Sequence, residues 1–176
     1  MRGDRPRQSI PSFEELVELF TPDVWLLCRH LGDQASAEDL TQETFLRVFK
    51  ALPGFRGESS PRTWVLAIAR RVCADHVQRQ RRDRLLTALA AREAAHATTP
   101  ADPAGERALW DLVARLPQER RAAFVLTQVF GLTYQEAAEV CDCAIGTIRS
   151  RVGRARADLI RAQEATGSAL RRSRRG

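Results

Sequence analysis

Lysine is nearly missing from this sequence: Lys50 stands alone, although Lys and Arg together number 28. Also missing is any apolar run near the ~18 residues that a membrane-spanning helix needs. The opening MRGDRPRQSIPSFEE lacks the continuous apolar stretch of a secretory signal. Strand signals are almost absent, since no alternating Val/Ile/Thr runs sit between turn pairs. These absences argue against a membrane-inserted, exported or β-rich protein, and the expected location is the cytoplasm. There the four cysteines are expected as free thiols, because a reducing compartment disfavours disulfides.

What is present is ordinary for a soluble globular chain: 44% apolar and 28% charged residues over 176 positions, enough for one medium core or two small ones. The formal charge of +6 and a pI near 10.0 suggest a polyanionic partner. The positive charge rests on arginine, whose flat fork suits phosphate and guanine edges better than an ammonium does. A GC-rich genome produces the same Arg-for-Lys bias, so composition alone fits both origins.

Apolar residues recur three and four apart almost throughout, which predicts an all-α protein. Phe13, Leu16, Val17 and Phe20 form a first amphipathic helix after Ser12. Val24, Leu27, Cys28 and Leu31 form a second, with Pro22 between them and Gly32 closing it. Ser36 opens a third, where Asp39 is placed to return a capping bond and Leu40, Thr44, Val48 and Leu52 share a stripe. Pro53 and Gly54 stop it. Ser60 then caps, and Pro61 begins, a long helix to about Arg82 with Val65, Ile68, Val72 and His76 on one face. From Ala88 to Glu106 large apolar residues fade into a linker.

Beyond the linker, Pro117 starts a helix through Phe124, Val125 and Val129 that Gly131 ends in a left-handed conformation. Thr133 and Glu136 form an S/T-x-x-E capping box, so a short helix runs over about Tyr134–Val140. After the break CDC, an inward stripe of Ile145, Ile148, Val152, Ala155 and Leu159 fixes another helix. A short capped helix, a tight turn and a basic amphipathic helix make a helix-turn-helix, whose second helix enters the DNA major groove. Arg149, Ser150, Gly153 and Arg154 then face outward, the N–H groups near Ala144 to Thr147 can hold a phosphate, and Arg151 and Arg156 are placed to meet the backbone. A solvated basic face on a structural helix is the plainer alternative. Cys141 and Cys143 supply only half of a tetrahedral zinc site and no nearby histidine completes it, so CDC reads as a turn. The pairs Cys28/His30 and Cys73/His76 raise a similar question. Only Cys73 and His76 share a helix side, and no metal or other cofactor is expected.

With those elements placed, EDLTQETFLRVFKALPGFRG, SPRTWVLAIARRVCADH and GLTYQEAAEVCDCAIGTIRSRVGRARADL closely resemble the extracytoplasmic-function sigma factors of the sigma-70 family, over about Phe13 to Leu159. The resemblance implies two small helical domains on a flexible linker: an N-terminal extension (1–11), a region 2 domain (12–87), the linker (88–106), a region 4 domain (107–165) and a basic tail (166–176), read as a disordered arm. It implies core RNA polymerase as partner, through the beta prime clamp helices and the beta flap, together with promoter DNA and an anti-sigma protein that the sequence does not identify. Membrane insertion is not implied.

Region 2 of the family binds the clamp helices, a role carried here to Asp39, Gln42, Glu43 and Leu46, an outward stripe of the third helix. It also reads and melts the minus-10 element. The pocket for an extruded base maps to Phe55, Arg56, Glu58, Ser59 and Ser60, with Arg71 at its rim; some members carry Asn at that position. Arg70, Arg71, Asp75, Gln78, Arg79 and Arg82 form a mostly basic track for the melted strand, since a protein without ATP hydrolysis can offset lost stacking by holding flipped bases and single-stranded phosphates. Trp25 and Trp64 lie near core stripes, and Trp64 is assigned to the core or pocket wall. Region 4 reads the minus-35 element through Thr147, Arg149, Ser150, Arg151, Gly153, Arg154 and Arg156. Two competitors carry other predictions. An ordinary helix-turn-helix regulator would bind duplex operator without polymerase, and an enzyme or redox sensor would need a nucleophile–base pair or complete ligand set, which the sequence lacks.

Overall fold

The computed structural model describes residues 11–90 and 105–173, and no strand occurs among the described residues. In chain order come α1 (Phe13–Leu31), α2 (Ala37–Ala51), a 3-10 turn (Leu52–Gly54), α3 (Pro61–Ala90), α4 (Gly105–Arg115), α5 (Gln118–Gln128), α6 (Tyr134–Cys141) and α7 (Ile145–Ser173). The all-α expectation holds.

α1 starts on a capping box: the Glu15 N–H donates to Ser12 Oγ at 3.2 Å and the Ser12 N–H donates to Glu15 Oε2 at 2.7 Å. It then passes through Pro22 without a break, which corrects the expectation of two helices. Proline costs a helix interior about 3 kcal/mol through a lost donor and a ring clash. Against that, Leu16, Val24, Leu27, Cys28 and Leu31 are buried along one side, and each large apolar chain contributes about 1.5–3 kcal/mol. The Thr21 hydroxyl donates to the Val17 carbonyl at 2.6 Å, adding a side-chain bond in the disturbed turn. Gly32 ends the helix where a Cβ would stand 2.5 Å from Leu40 Cδ1 and 2.8 Å from the Cys28 carbonyl oxygen, so only glycine fits.

α2 buries Leu40, Thr44 and Val48 as its stripe predicts. Its cap differs from expectation: the Ser36 side chain makes no capping bond, and Asp33 Oδ1 instead accepts from the Ser36 N–H at 2.9 Å. α3 begins at Pro61 with Ser60 Oγ accepting from the Thr63 N–H at 3.1 Å, and it runs past the expected end at Arg82 to Ala90. Together α1, α2 and α3 enclose one core.

In the second unit Gly131 takes φ +65° after α5, as the helix end requires. Both bonds of the Thr133–Glu136 box form, at 3.2 Å and 2.8 Å. Asp142 caps α6 in a left-handed conformation, φ 53°. Ile148, Val152 and Ala155 are buried as predicted, but Ile145 is 41% exposed. It is the first residue of α7, ahead of the point where the helix meets its neighbours, and the Cys143 side chain packs against the core in the turn before it. α7 also stays helical to Ser173, through most of the segment expected to be a disordered tail, whose last residues lie outside the described ones. The two units touch directly, α3 lying along α6 and α1 against α5.

Candidate nucleic-acid and polymerase interfaces

The three faces singled out in the sequence occupy three helices. On α2, Asp39, Gln42 and Leu46 are exposed, Leu46 by 57%. Glu43 belongs to the same stripe but is already engaged: its Oε1 lies 2.8 Å from Arg47 Nε, and Arg47 Nη1 reaches Asp75 Oδ2 on α3 at 2.8 Å. The Asp75 and Glu43 carboxylates raise the Arg47 pKa above its ordinary value. A cleft of about 620 Å³ opens between α2 and α3, with Asp39 and Glu43 on one wall and Gln78, Arg79 and Arg82 on the other, so the acidic stripe and the basic track meet across one groove. Phe49 was not singled out in the sequence, yet it is 61% exposed one turn from Leu46 and is braced edge-on by Phe13 at 5.1 Å. An aromatic at i+3 from an exposed leucine was the available signal.

The loop before α3 places Arg56 and Glu58 in solvent and half-buries Ser59. Phe55 is 8% exposed with its ring 4.6 Å from that of Trp64, so these two aromatics build a wall from inside the core. Ser60 is spent on the α3 cap and a 2.8 Å bond to Thr63 Oγ1. Trp25 is half-buried beneath the Arg29 guanidinium, 5.5 Å from the ring centre. Along α3, Gln78, Arg79 and Arg82 are exposed. Arg70 and Arg71 turn toward the second unit: Arg70 Nη2 lies 3.1 Å from Glu119 Oε1, and Arg71 Nη2 lies 3.8 Å from Asp142 Oδ2.

On α7, Arg149, Ser150, Gly153 and Arg154 face solvent as the stripe predicts, and a Cβ on Gly153 would meet nothing within 4 Å. Thr147 is half-buried, and its carbonyl accepts from Ser150 Oγ at 2.9 Å. Arg151 is held rather than free: Nη2 lies 2.8 Å from Glu119 Oε2 and Nη1 donates to Cys143 Sγ at 3.6 Å. Arg156 donates to Gln128 Oε1 at 2.8 Å.

The cysteine and histidine pairs disperse. The Cys28 and Cys73 thiols are buried together between α1 and α3, and Cys73, hydrogen-bonded to Cys28 and desolvated, is pushed far above the ordinary thiol range. The His30 ring stacks on Trp110 of α4 at 3.9 Å. His76 Nε2 meets Asp33 Oδ2 at 2.8 Å. Burial would raise the Asp33 carboxyl, but the His76 and Ser36 hydrogen bonds outweigh it and hold the pKa below the ordinary value. Burial pushes the Cys141 thiol up to about 11, while Cys143 lies against Arg151. No group of three or more metal-ligating side chains forms among the described residues.

Two family descriptions match this chain, Sigma-70 region 2 over residues 16–83 and Sigma-70 region 4 over residues 106–159. The ECF RNA polymerase sigma factor SigC of Mycobacterium tuberculosis is 45% identical over 152 residues, spanning 85% of this chain and 82% of that protein. The chain belongs to the extracytoplasmic-function sigma factors of the sigma-70 family. The ECF sigma factor EcfG of Rhodopseudomonas palustris is 32% identical, covering 73% and 71% of the two chains. Among solved structures, the sigma factor RpoE of Bartonella quintana, in complex with the anti-sigma factor NepR, aligns with a TM-score of 0.68 at 26% identity over 86% of this chain and 96% of its own. CnrH in complex with the cytosolic domain of CnrY gives 0.64 at 25% identity, over 87% and 88%. The fold expected for a sigma factor of this group, two helical units of which the second carries a helix-turn-helix, is the one observed.

Proposed function

We propose that this sigma factor is a promoter-specificity subunit that binds core RNA polymerase, reads paired promoter elements and helps to melt the first of them, and is not itself an enzyme. The observation that carries the reading is the match of one sigma-70 region to each helical unit, at a spacing that gives the chain two DNA-reading helices. Residues 12–87 are assigned to region 2, 88–106 to the linker and 107–165 to region 4. Asp39, Gln42, Glu43 and Leu46 are assigned to the clamp helices of beta prime, with Phe49 extending the same face. A carboxylate–amide–leucine stripe suits a partner helix carrying basic and apolar residues, and the beta flap is assigned to region 4.

The loop from Phe55 to Ser60 and the α3 track of Arg70, Arg71, Asp75, Gln78, Arg79 and Arg82 are assigned to the minus-10 strand. Phe55 serves from the pocket wall, since its ring is already packed. At the minus-35 element the exposed Arg149, Ser150 and Arg154 read bases, Gly153 lets the groove edge approach, and Thr147, Arg151 and Arg156 serve the backbone. The protein works in the cytoplasm with polymerase. The solved sigma factor RpoE is in complex with an anti-sigma factor, and such a partner is proposed for this chain too.

The test is run-off transcription from a pool of genomic promoter fragments by bacterial core polymerase with and without the protein. Starts that need it, and that vanish with Asp39→Arg or Arg149→Ala, support both faces. No new starts, together with tight duplex binding by the protein alone, would instead favour an ordinary operator-binding regulator.

A further inference from the structure

Asp75 is an acid set among the arginines of α3, four residues ahead of Arg79. An acid in that position relative to an arginine is the favoured order for an ion pair along one helix. Spacing alone would therefore pair Asp75 with Arg79, but that pair does not form. Arg47 of α2 takes the carboxylate from across the cleft, with Nη1 2.8 Å from Asp75 Oδ2. Arg79 Nε donates instead to the Asp75 carbonyl at 3.4 Å, and among the described residues no carboxylate reaches its guanidinium. Arg47 is itself aimed by Glu43, whose Oε1 accepts from Nε at 2.8 Å. Two acids on two helices thus fix one guanidinium, and both raise its pKa. The Asp75 side chain is 52% exposed, so without Arg47 its charge would stand open in the track.

We propose that Arg47 is a positioning residue for the minus-10 strand: it holds the Asp75 carboxylate away from Arg79 and so keeps Arg79 free for phosphate. The inference rests on the assignment of α3 to that strand. A guanidinium makes the same charge-assisted bonds to a carboxylate as to a phosphate, so Asp75 and the strand compete for Arg79. Arg47 decides that competition from the opposite wall of the cleft without touching the strand itself. The task suits arginine, because its fixed fork gives one N–H to Glu43 and another to Asp75, where a lysine would offer a single point charge.

The test is a double-mutant cycle in the full-length protein with Arg47→Gln, Asp75→Asn and the double variant. Fluorescence anisotropy of a labelled mixed-sequence single-stranded 20-mer at low salt reads strand affinity, and thermal unfolding reads the α2–α3 contact. Exposed pairs are individually weak, so Arg47→Gln is expected to lose roughly 3- to 5-fold in strand affinity. Asp75→Asn is expected to raise affinity about 2-fold in the wild-type background and roughly 5-fold in the Arg47→Gln background. Unfolding should follow a different pattern, because Arg47→Gln and the double variant both lack the contact: their Tm values fall alike, while only the double regains affinity. A merely structural role gives no such rescue. Equal gains from Asp75→Asn in both backgrounds overturn the proposal, and so does a double variant that binds as weakly as Arg47→Gln, because Arg47 then meets the strand directly. Arg79→Ala keeps the two readings separable. If it weakens strand binding while the cycle is additive, only the role of Arg47 falls; if it changes nothing, or if wild type binds no strand, the assignment of α3 falls and the proposal with it.

Discussion

Replacing Gly153 by alanine sets stability against DNA binding at one atom. Gly153 lies inside α7 on its exposed face, and the added methyl would touch nothing within 4 Å. Glycine in a helix interior costs about 0.5–1 kcal/mol relative to alanine through the entropy of the unfolded chain. With no clash to offset that gain, Gly153→Ala is expected to stabilise the protein by about 0.5–1 kcal/mol. For a chain of this size that corresponds to a rise in Tm of roughly 1–4 °C. The same methyl points at the groove edge in the assigned minus-35 complex, where a lost close approach is expected to weaken binding severalfold, about 1 kcal/mol. Circular dichroism melts give the first quantity, and anisotropy titration with a duplex recovered from the run-off experiment gives the second. An unchanged or lower Tm refutes the entropy argument. A raised Tm with unchanged duplex affinity refutes the placement of Gly153 at the DNA.

Other consequences can be read in parallel. Thr133→Ala removes one side of the α6 capping box and is expected to cost about 1 kcal/mol in urea unfolding, whereas Thr133→Ser should restore most of it. Asp33 and Glu136 both have pKa values held below the ordinary carboxylate range, Glu136 by the Thr133 hydrogen bonds. Their contribution is therefore complete above the unfolded pKa values and is lost as pH falls through the lower folded ones, so a pH series should show acid destabilisation below about pH 4.5 that Glu136→Gln reduces. Phe49→Ala is expected to weaken core polymerase binding by about tenfold while leaving duplex binding by region 4 unchanged; equal loss of both would remove Phe49 from the polymerase face.

Local rules carried much of this fold. Thr133 and Glu136 announce their helix because a capping box is complete within four residues, and Gly131 marks a helix end by the backbone it alone adopts cheaply. Ile148, Val152 and Ala155 are readable because period and burial coincide. The failures arose where one local signal met a wider context. Pro22 reads as a break until the buried side chains on both sides of it are weighed, and Ile145 fits the apolar stripe but precedes the packed part of the helix. Phe55 maps to the base pocket by resemblance, and its packing against the Trp64 ring is visible only in the folded chain. Least legible was the meeting of Arg70 with Glu119: nothing in the spacing of an arginine and a glutamate on separate units announces that they touch, because the contact depends on how two finished cores lie together.

The left-handed aspartate between α6 and α7 has an evolutionary side. Every aspartate codon becomes a glycine codon by one base change, and glycine would sit in that backbone with less strain. The turn thus holds an untaken gain in stability one base change away, at a position whose carboxylate is exposed and faces Arg71 at 3.8 Å.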